Sequence, residues 1–217
     1  MRNLHYDYPS MVLHAENLQK RYDRLCVFER LSFEVRAGES LAIQGANGSG
    51  KSTLMRLLAG VAAPTQGQVT YSQNGKRLEK NEQIRYIGFV APYVQFYDEL
   101  TGLENVLFSL RAKGLTPNTK QIERLFEHFA IATSCRKLVR TYSSGMIQRL
   151  RFVQAFAAAP HICLLDEPTA TLDQSGIAQL WNYLEQSRPN IILIIASNDA
   201  QDIAQCQRKL SIEDFKP

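Results

Sequence analysis

The spacing of hydrophobic residues changes twice along the chain. From residue 11 to residue 90 the apolar positions form short runs and alternations: Met11-Val12-Leu13, Leu31 to Val35, Leu41 to Ile43, Gln68 to Tyr71 and Arg85 to Val90. Side chains of a strand point alternately to its two faces, so these segments predict strands, the last two separated by a polar turn at Asn74-Gly75. From residue 92 to residue 158 the period becomes helical. Leu103 to Lys113 predicts a helix ended by Gly114, and Gln121 to Ala130 sets Ile122, Leu125, Phe126 and Phe129 on one face. Met146 to Ala159 predicts a third helix, stopped by Pro160, with Met146, Leu150, Val153 and Ala157 as its stripe. Beyond Pro160, Ile162 to Leu165 and Ile191 to Ala196 are apolar throughout, as central parallel strands covered on both faces are. A helix over Ile177 to Gln186 connects them.

These periods predict an α/β core interrupted by a helical insert. One domain spans 1–217, with the core at 1–91 and 159–217 and the insert at 92–158. No internal repeat, low-complexity tract or flexible linker breaks it. At 217 residues the chain can bury a sizeable core.

Charge and cysteine usage narrow the setting. The net charge is +4 and the basic residues are scattered, with Lys20-Arg21 and Arg136-Lys137 the nearest to clusters, so no nucleic-acid partner is expected. Cys26, Cys135, Cys163 and Cys206 lie far apart, as do His5, His14, His128 and His161, which predicts neither a zinc site nor a disulfide framework. No signal-peptide pattern precedes the first strand, and a reducing cytoplasm is the expected setting. The run Ile191 to Ala196 is too short to cross a bilayer, so action at a membrane would require a transmembrane partner.

The strongest chemical signal is Gly45-Ala46-Asn47-Gly48-Ser49-Gly50-Lys51-Ser52. Clustered phosphate charge calls for inward-pointing backbone N–H groups, and glycines permit the backbone angles and close approach that arrangement needs. Lys51 would reach the β- and γ-phosphates, and Ser52 would place a hydroxyl on Mg2+. Leu41 to Ile43 supplies a strand before the loop. Thr53 to Ala59, stopped by Gly60, supplies a helix whose N-terminus adds positive field. ATP and Mg2+ are the cofactors this predicts.

A second constellation follows a strand. Ile162-Cys163-Leu164-Leu165 runs into Asp166-Glu167. A carboxylate at such a strand end can hold Mg2+ opposite Ser52, which assigns Asp166 to the metal. Glu167, one residue on, can take a proton from an attacking water.

At this point the chain resembles the ATP-binding subunits of ABC transporters along nearly its full length. Tyr142-Ser143-Ser144-Gly145-Met146, followed by Gln148-Arg149, is similar to the family's signature sequence. Asp166-Glu167-Pro168-Thr169 matches its Walker B motif, Thr171-Leu172-Asp173 its D-loop, and Leu100-Thr101 with Glu104-Asn105 the segment after its Q-loop. The resemblance implies a P-loop NTPase fold: a RecA-like core with a mostly parallel central sheet, an N-terminal antiparallel β subdomain and an inserted α-helical subdomain. It also places Tyr22 against adenine and implies a head-to-tail dimer. There Ser143, Ser144 and Gly145 of one subunit would face the γ-phosphate held by the other's loop, with Asp173 nearby. Helix capping alone also accounts for Ser143-Ser144. The partners implied are a second ATP-binding subunit, in a homodimer or a heterodimer, and a transmembrane permease. The subunit would lie on the cytoplasmic face of the cell membrane, and an exporter of the ABC-2 or haem-exporter type is the expected subclass.

Three positions depart from the family pattern. The switch histidine is Asn198, which cannot take up a proton and reaches less far. The Q-loop glutamine is Pro92, with Gln95 three residues on. The signature carries Ser144 for a glycine and Met146 for glutamine. An intact Lys51, Ser52, Asp166 and Glu167 beside Asn198 predicts slow hydrolysis, or a degenerate subunit paired with a competent one. Tyr93, Val94, Phe96 and Tyr97 are a candidate aromatic docking patch for the permease, unless they pack inside the insert. A non-transport ABC ATPase acting as a conformational switch is the alternative, although coiled-coil inserts, tandem domains and basic extensions are lacking. A small-molecule kinase would leave the signature unexplained.

Overall fold

A computed structural model describes residues 10–217. Two sheets make the framework. In the first, β1 (Met11–Tyr22) and β2 (Leu25–Arg36) form a long antiparallel hairpin, and β4 (Gln66–Gln73) and β5 (Lys76–Arg77) extend it in the order β2-β1-β4-β5. The second is wholly parallel. It runs β6 (Ile87–Val90), β7 (Ile162–Asp166), β8 (Ile192–Ala196), β3 (Ser40–Gln44) and β9 (Arg208–Ser211).

Helix α1 (Lys51–Leu58) lies between the two sheets. Leu54, Met55, Leu57 and Leu58 join Leu13 and Leu18 of β1, Leu41 and Ile43 of β3, and Ile162 and Leu164 of β7 in one core. Period two along β7 sends Cys163 and Leu165 to the opposite face, into a second core. There the sheet meets α5 (Ser144–Phe156) and α6 (Gln174–Ser187). Phe129, Phe152, Phe156 and Tyr183 stack across it, with Phe156 and Tyr183 ring centroids 4.5 Å apart. The same core takes in Val106 and Leu110 of α3 (Gly102–Ala112), and Ile122, Leu125 and Phe126 of α4 (Thr119–His128). Thr101 caps α3 in a reciprocal pair with Glu104, and Asn118 caps α4.

Helices α3, α4 and α5 all lie between β6 and β7, where helical periods were expected. The sheets hold more than the periods predict. β1 continues nine residues beyond Leu13 through register shifts at Ala15/Leu18 and Leu18/Lys20, which bring Leu18 back into the core. Its polar Glu16 and Asn17 are exposed, so alternation is lost there. β9 (Arg-Lys-Leu-Ser), the short α2 (Lys80–Gln83) and α7 (Ala200–Ala204) have no apolar signal of their own.

Candidate functional site: a phosphate loop and an acidic strand end

The predicted loop turns directly from β3 into α1. Gly45, Gly48 and Gly50 have φ of +150°, +78° and +112°, which L side chains resist. A Cβ on Gly50 would also lie 2.5 Å from a Val27 methyl, and one on Gly45 would lie 2.7 Å from Ile212. Gly50 is the N-cap of α1 and offers no side chain, so the first N–H groups of the helix remain available to an anion.

Lys51 is buried beneath the loop. Its Nζ donates to Gly45 O at 2.7 Å, Ala46 O at 3.3 Å and Asn198 Oδ1 at 2.8 Å, and lies 3.9 Å from Glu167 Oε1. The Asn198 amide nitrogen donates to Asn47 Oδ1. Asn198 therefore bridges the lysine and the loop, with both ends of its amide engaged.

The far end of the chain fastens the loop. Glu213 Oε1 accepts from Ala46 N at 2.8 Å, and Lys216 Nζ donates to Ser49 O at 2.6 Å and Val27 O at 3.0 Å. Neither residue carries a motif, and only the return of β9 beside β3 brings them there. Next to the loop is a cleft of about 460 Å3, lined by Tyr22, Val27, residues 47–53, Glu167 and Lys216. Tyr22 stands half-exposed at its mouth with the Lys20 ammonium 4.8 Å from the ring centroid. A flat aromatic face in that position suits a nucleobase.

Asp166 and Glu167 end β7, and β7 pairs with β8 through Asp166 and Ala196. Glu167 sits in the left-handed region with φ +48°, held by donation from its N–H to Ala196 O at 2.8 Å. Asp166 is fully buried, and neither carboxylate oxygen has a hydrogen-bond partner. Burial pushes its carboxyl above the usual range. The Ser52 hydroxyl pulls it back in part without making a hydrogen bond of ordinary geometry, Glu167 adds to the rise, and Lys51 and Arg56 oppose it. Two orphaned buried oxygens beside a serine hydroxyl suit an oxygen-loving divalent cation. Among the described residues no group of three or more His, Cys, Asp or Glu could hold a metal alone.

The segment after β6 divides the candidate aromatic patch between packing and exposure. Gln95 is exposed and lines a separate groove with Ile84, Tyr97 and Phe108, so it does not take the place of a glutamine at Pro92. Tyr93 and Phe96 are half-buried, and only Tyr97 of the predicted aromatic patch is exposed. The Tyr93 ring lies under the Arg56 guanidinium at 3.9 Å, and its hydroxyl is buried without a partner. Burial pushes this phenol up to about 12, and the adjacent Arg56 guanidinium holds the rise back in part without making a hydrogen bond of ordinary geometry. Tyr97 instead packs edge-on against Phe108, which the helical period did not single out, at 5.1 Å.

The signature residues stand apart from the cleft. Ser143 caps α5 by accepting from Met146 N at 3.3 Å, and Ser143 and Ser144 are exposed. Gly145 faces Thr171 O across a gap that a Cβ would narrow to 3.6 Å. Asp173 caps α6, accepting from Gly176 N at 2.8 Å and pairing with Arg149 at 2.8 Å. These bonds hold its carboxyl below the usual range, the Gly176 N–H first. Gln148, fully buried, donates to Pro168 O at 2.8 Å. Gln148 and Arg149 thus tie α5 to the segment that follows the acidic strand end.

A glycine loop on a helix N-terminus, a buried lysine beneath it and two carboxylates at a neighbouring strand end define a nucleoside-triphosphate site of the phosphate-loop class. The family model described as ABC transporter matches residues 28–170. The chain is 33% identical over 216 residues to the lipoprotein-releasing system ATP-binding protein LolD of Hydrogenovibrio crunogenus, covering 93% of this chain and 94% of that one. It is 31% identical over 200 residues to the sulfate/thiosulfate import ATP-binding protein CysA 2 of Rhizobium meliloti, of which it spans 54%. A solved ATP-binding subunit of an ABC transporter is 27% identical, with a TM-score of 0.79 over 92% of this chain and 85% of that chain. The chain belongs to the ABC transporter family, as an ATP-binding subunit with ATPase activity.

Proposed function

We propose that this chain drives a transporter by ATP-dependent head-to-tail dimerisation on the cytoplasmic face of a membrane, with Glu167 as the base. The observation that carries the reading is the convergence of Lys51, Asn198 and Glu167 at the loop, beside the orphaned Asp166. In this reading the loop N–H groups and Lys51 hold the triphosphate, Tyr22 faces adenine, and Ser52 and Asp166 hold Mg2+. That ion would neutralise phosphate charge as the bond to the γ-phosphate breaks. Ser143, Ser144 and Gly145, with Asp173 behind them, complete the site of a second subunit. The permease would dock at the groove of Ile84, Tyr97 and Phe108 rather than at Tyr93 and Phe96. The domain assignment, core at 1–91 and 159–217 with the insert at 92–158, is part of the same reading.

The test is phosphate release from Mg-ATP across protein concentration, beside Glu167→Gln. A rate that rises steeply with concentration and is lost in the variant supports the reading, while unchanged turnover in Glu167→Gln ends it. A second reading is a slow subunit completed by a competent partner. It is favoured by Asn198, whose amide donor is already engaged by Asn47. Tight ATP binding without phosphate release, and isolation with a distinct ATP-binding chain, would select it.

A further inference from the structure

Behind Glu167 lies a buried hydrogen-bonded chain that no motif reading includes. The Ser197 hydroxyl is fully buried, 3.3 Å from Glu167 Oε2 and 2.9 Å from Asp202 Oδ2. It also accepts from Asp199 N at 3.0 Å. Asp202, 1% exposed, receives Thr169 Oγ1 at 3.0 Å and 2.9 Å from its two oxygens.

A serine hydroxyl has one hydrogen, and an ionised carboxylate only accepts. With both carboxylates ionised, Ser197 can satisfy one of them and turns a lone pair towards the other. All contacts are satisfied together when one carboxyl carries a proton. Asp202 is buried, whereas the Glu167 side chain is 30% exposed, so the proton belongs on Asp202. Thr169 then donates to the other Asp202 oxygen.

We propose that Ser197 and Asp202 position Glu167: protonated Asp202 donates to Ser197, and Ser197 gives its single hydrogen to Glu167 Oε2. This inference rests on the reading of Glu167 as the base. It explains what holds that side chain while its backbone is strained at φ +48°. It also makes the positioning depend on pH. Burial raises the Asp202 carboxyl above its usual range, the Ser197 and Thr169 hydroxyls lower it in part, and the charges of Asp199 and Glu167 raise it further. As pH rises and Asp202 ionises, its carboxylate claims the Ser197 hydrogen, and Glu167 loses its donor.

The experiment measures kcat, KM and the pH profile of Mg-ATP hydrolysis by the purified chain for Ser197→Ala, Asp202→Ala and Asp202→Asn. Glu167→Gln is the control, and melting and ATP binding are checked for each variant. Ser197→Ala and Asp202→Ala are expected to lower kcat about tenfold, the size of a lost positioning contact, with ATP affinity kept within about twofold. Asp202→Asn, which always carries a donor, should restore the rate and remove the alkaline fall of the wild-type profile. If Asp202→Asn is as slow as Asp202→Ala, or Ser197→Ala matches wild type, the positioning chain is overturned. If Asp202→Ala does not fold, Ser197→Ala and Asp202→Asn decide alone. Turnover surviving in Glu167→Gln would overturn the base reading instead, and the two failures are distinguishable.

Discussion

At the scale of single residues, the binding site is kept at a cost to stability. The Asp166 carboxyl has its pKa raised by burial, so the folded protein binds that proton more tightly than the unfolded chain does. The stability this contributes is fully present below the ordinary aspartate range and is lost as pH rises through the raised value. Asp166→Asn is therefore expected to raise Tm at neutral pH. The gain should shrink towards the ordinary aspartate range, while Mg-dependent hydrolysis is lost. Calorimetry at pH 4 and pH 7.5 checks it, and a lower Tm at neutral pH would contradict it. Tyr93→Phe follows similar logic. It removes a buried hydroxyl without a partner and keeps the ring under Arg56, so stability should be unchanged or rise by up to about 1 kcal/mol. Urea denaturation measures this. Gly50→Ala goes the other way. A positive φ and a 2.5 Å approach to Val27 are expected to cost about 1–3 kcal/mol and to weaken ATP binding as well. Positions such as Gly50, Lys51 and Asp166 are legible in the sequence because triphosphate chemistry demands their types at those spacings. Ser197 and Asp202 are not, because a buried serine and aspartate have no spacing of their own and matter only through what the fold places beside them.

At the scale of elements, legibility follows burial. β7 and β8 are buried on both faces, and their uniform apolar runs mark them at once. β9 is an edge strand with two exposed basic residues, and nothing in Arg208-Lys209-Leu210-Ser211 separates it from a loop. Yet β9 sets Ile212, Glu213 and Lys216 against the phosphate loop. Glu213→Ala frees Ala46 N and is expected to weaken ATP binding several-fold, about 1 kcal/mol for one charge-assisted bond, with little change in Tm. Titration with a fluorescent ATP analogue would read the change, and unaltered affinity would mean that the loop holds its shape without this strand's help. The aromatic cluster between the helices and the parallel sheet behaves differently. Phe156 stacks on both Phe129 and Tyr183, and Phe156→Ala is expected to cost about 3–5 kcal/mol.

At the scale of the whole molecule, the placement of the signature has the largest consequence. Ser143, Ser144 and Gly145 share a helix end with Gln148 and Arg149, and none of the three lines the cleft that holds Lys51 and Glu167. If each chain carries half of two composite sites, a head-to-tail pair holds two complete ones. Two inactive proteins should then rescue each other. Lys51→Ala destroys the loop half and leaves the signature intact, while Gly145→Asp puts a negative charge where the γ-phosphate must come and leaves the loop intact. In an equal mixture about half of the pairs are mixed, and each mixed pair has one intact site of its two. The mixture is therefore expected to recover about one quarter of the wild-type rate, and neither protein alone should show any. Recovery near that level requires the signature to act across the pair. No recovery, with mixed pairs shown to form, would mean that loop and signature serve the same chain or that only a different partner completes the site.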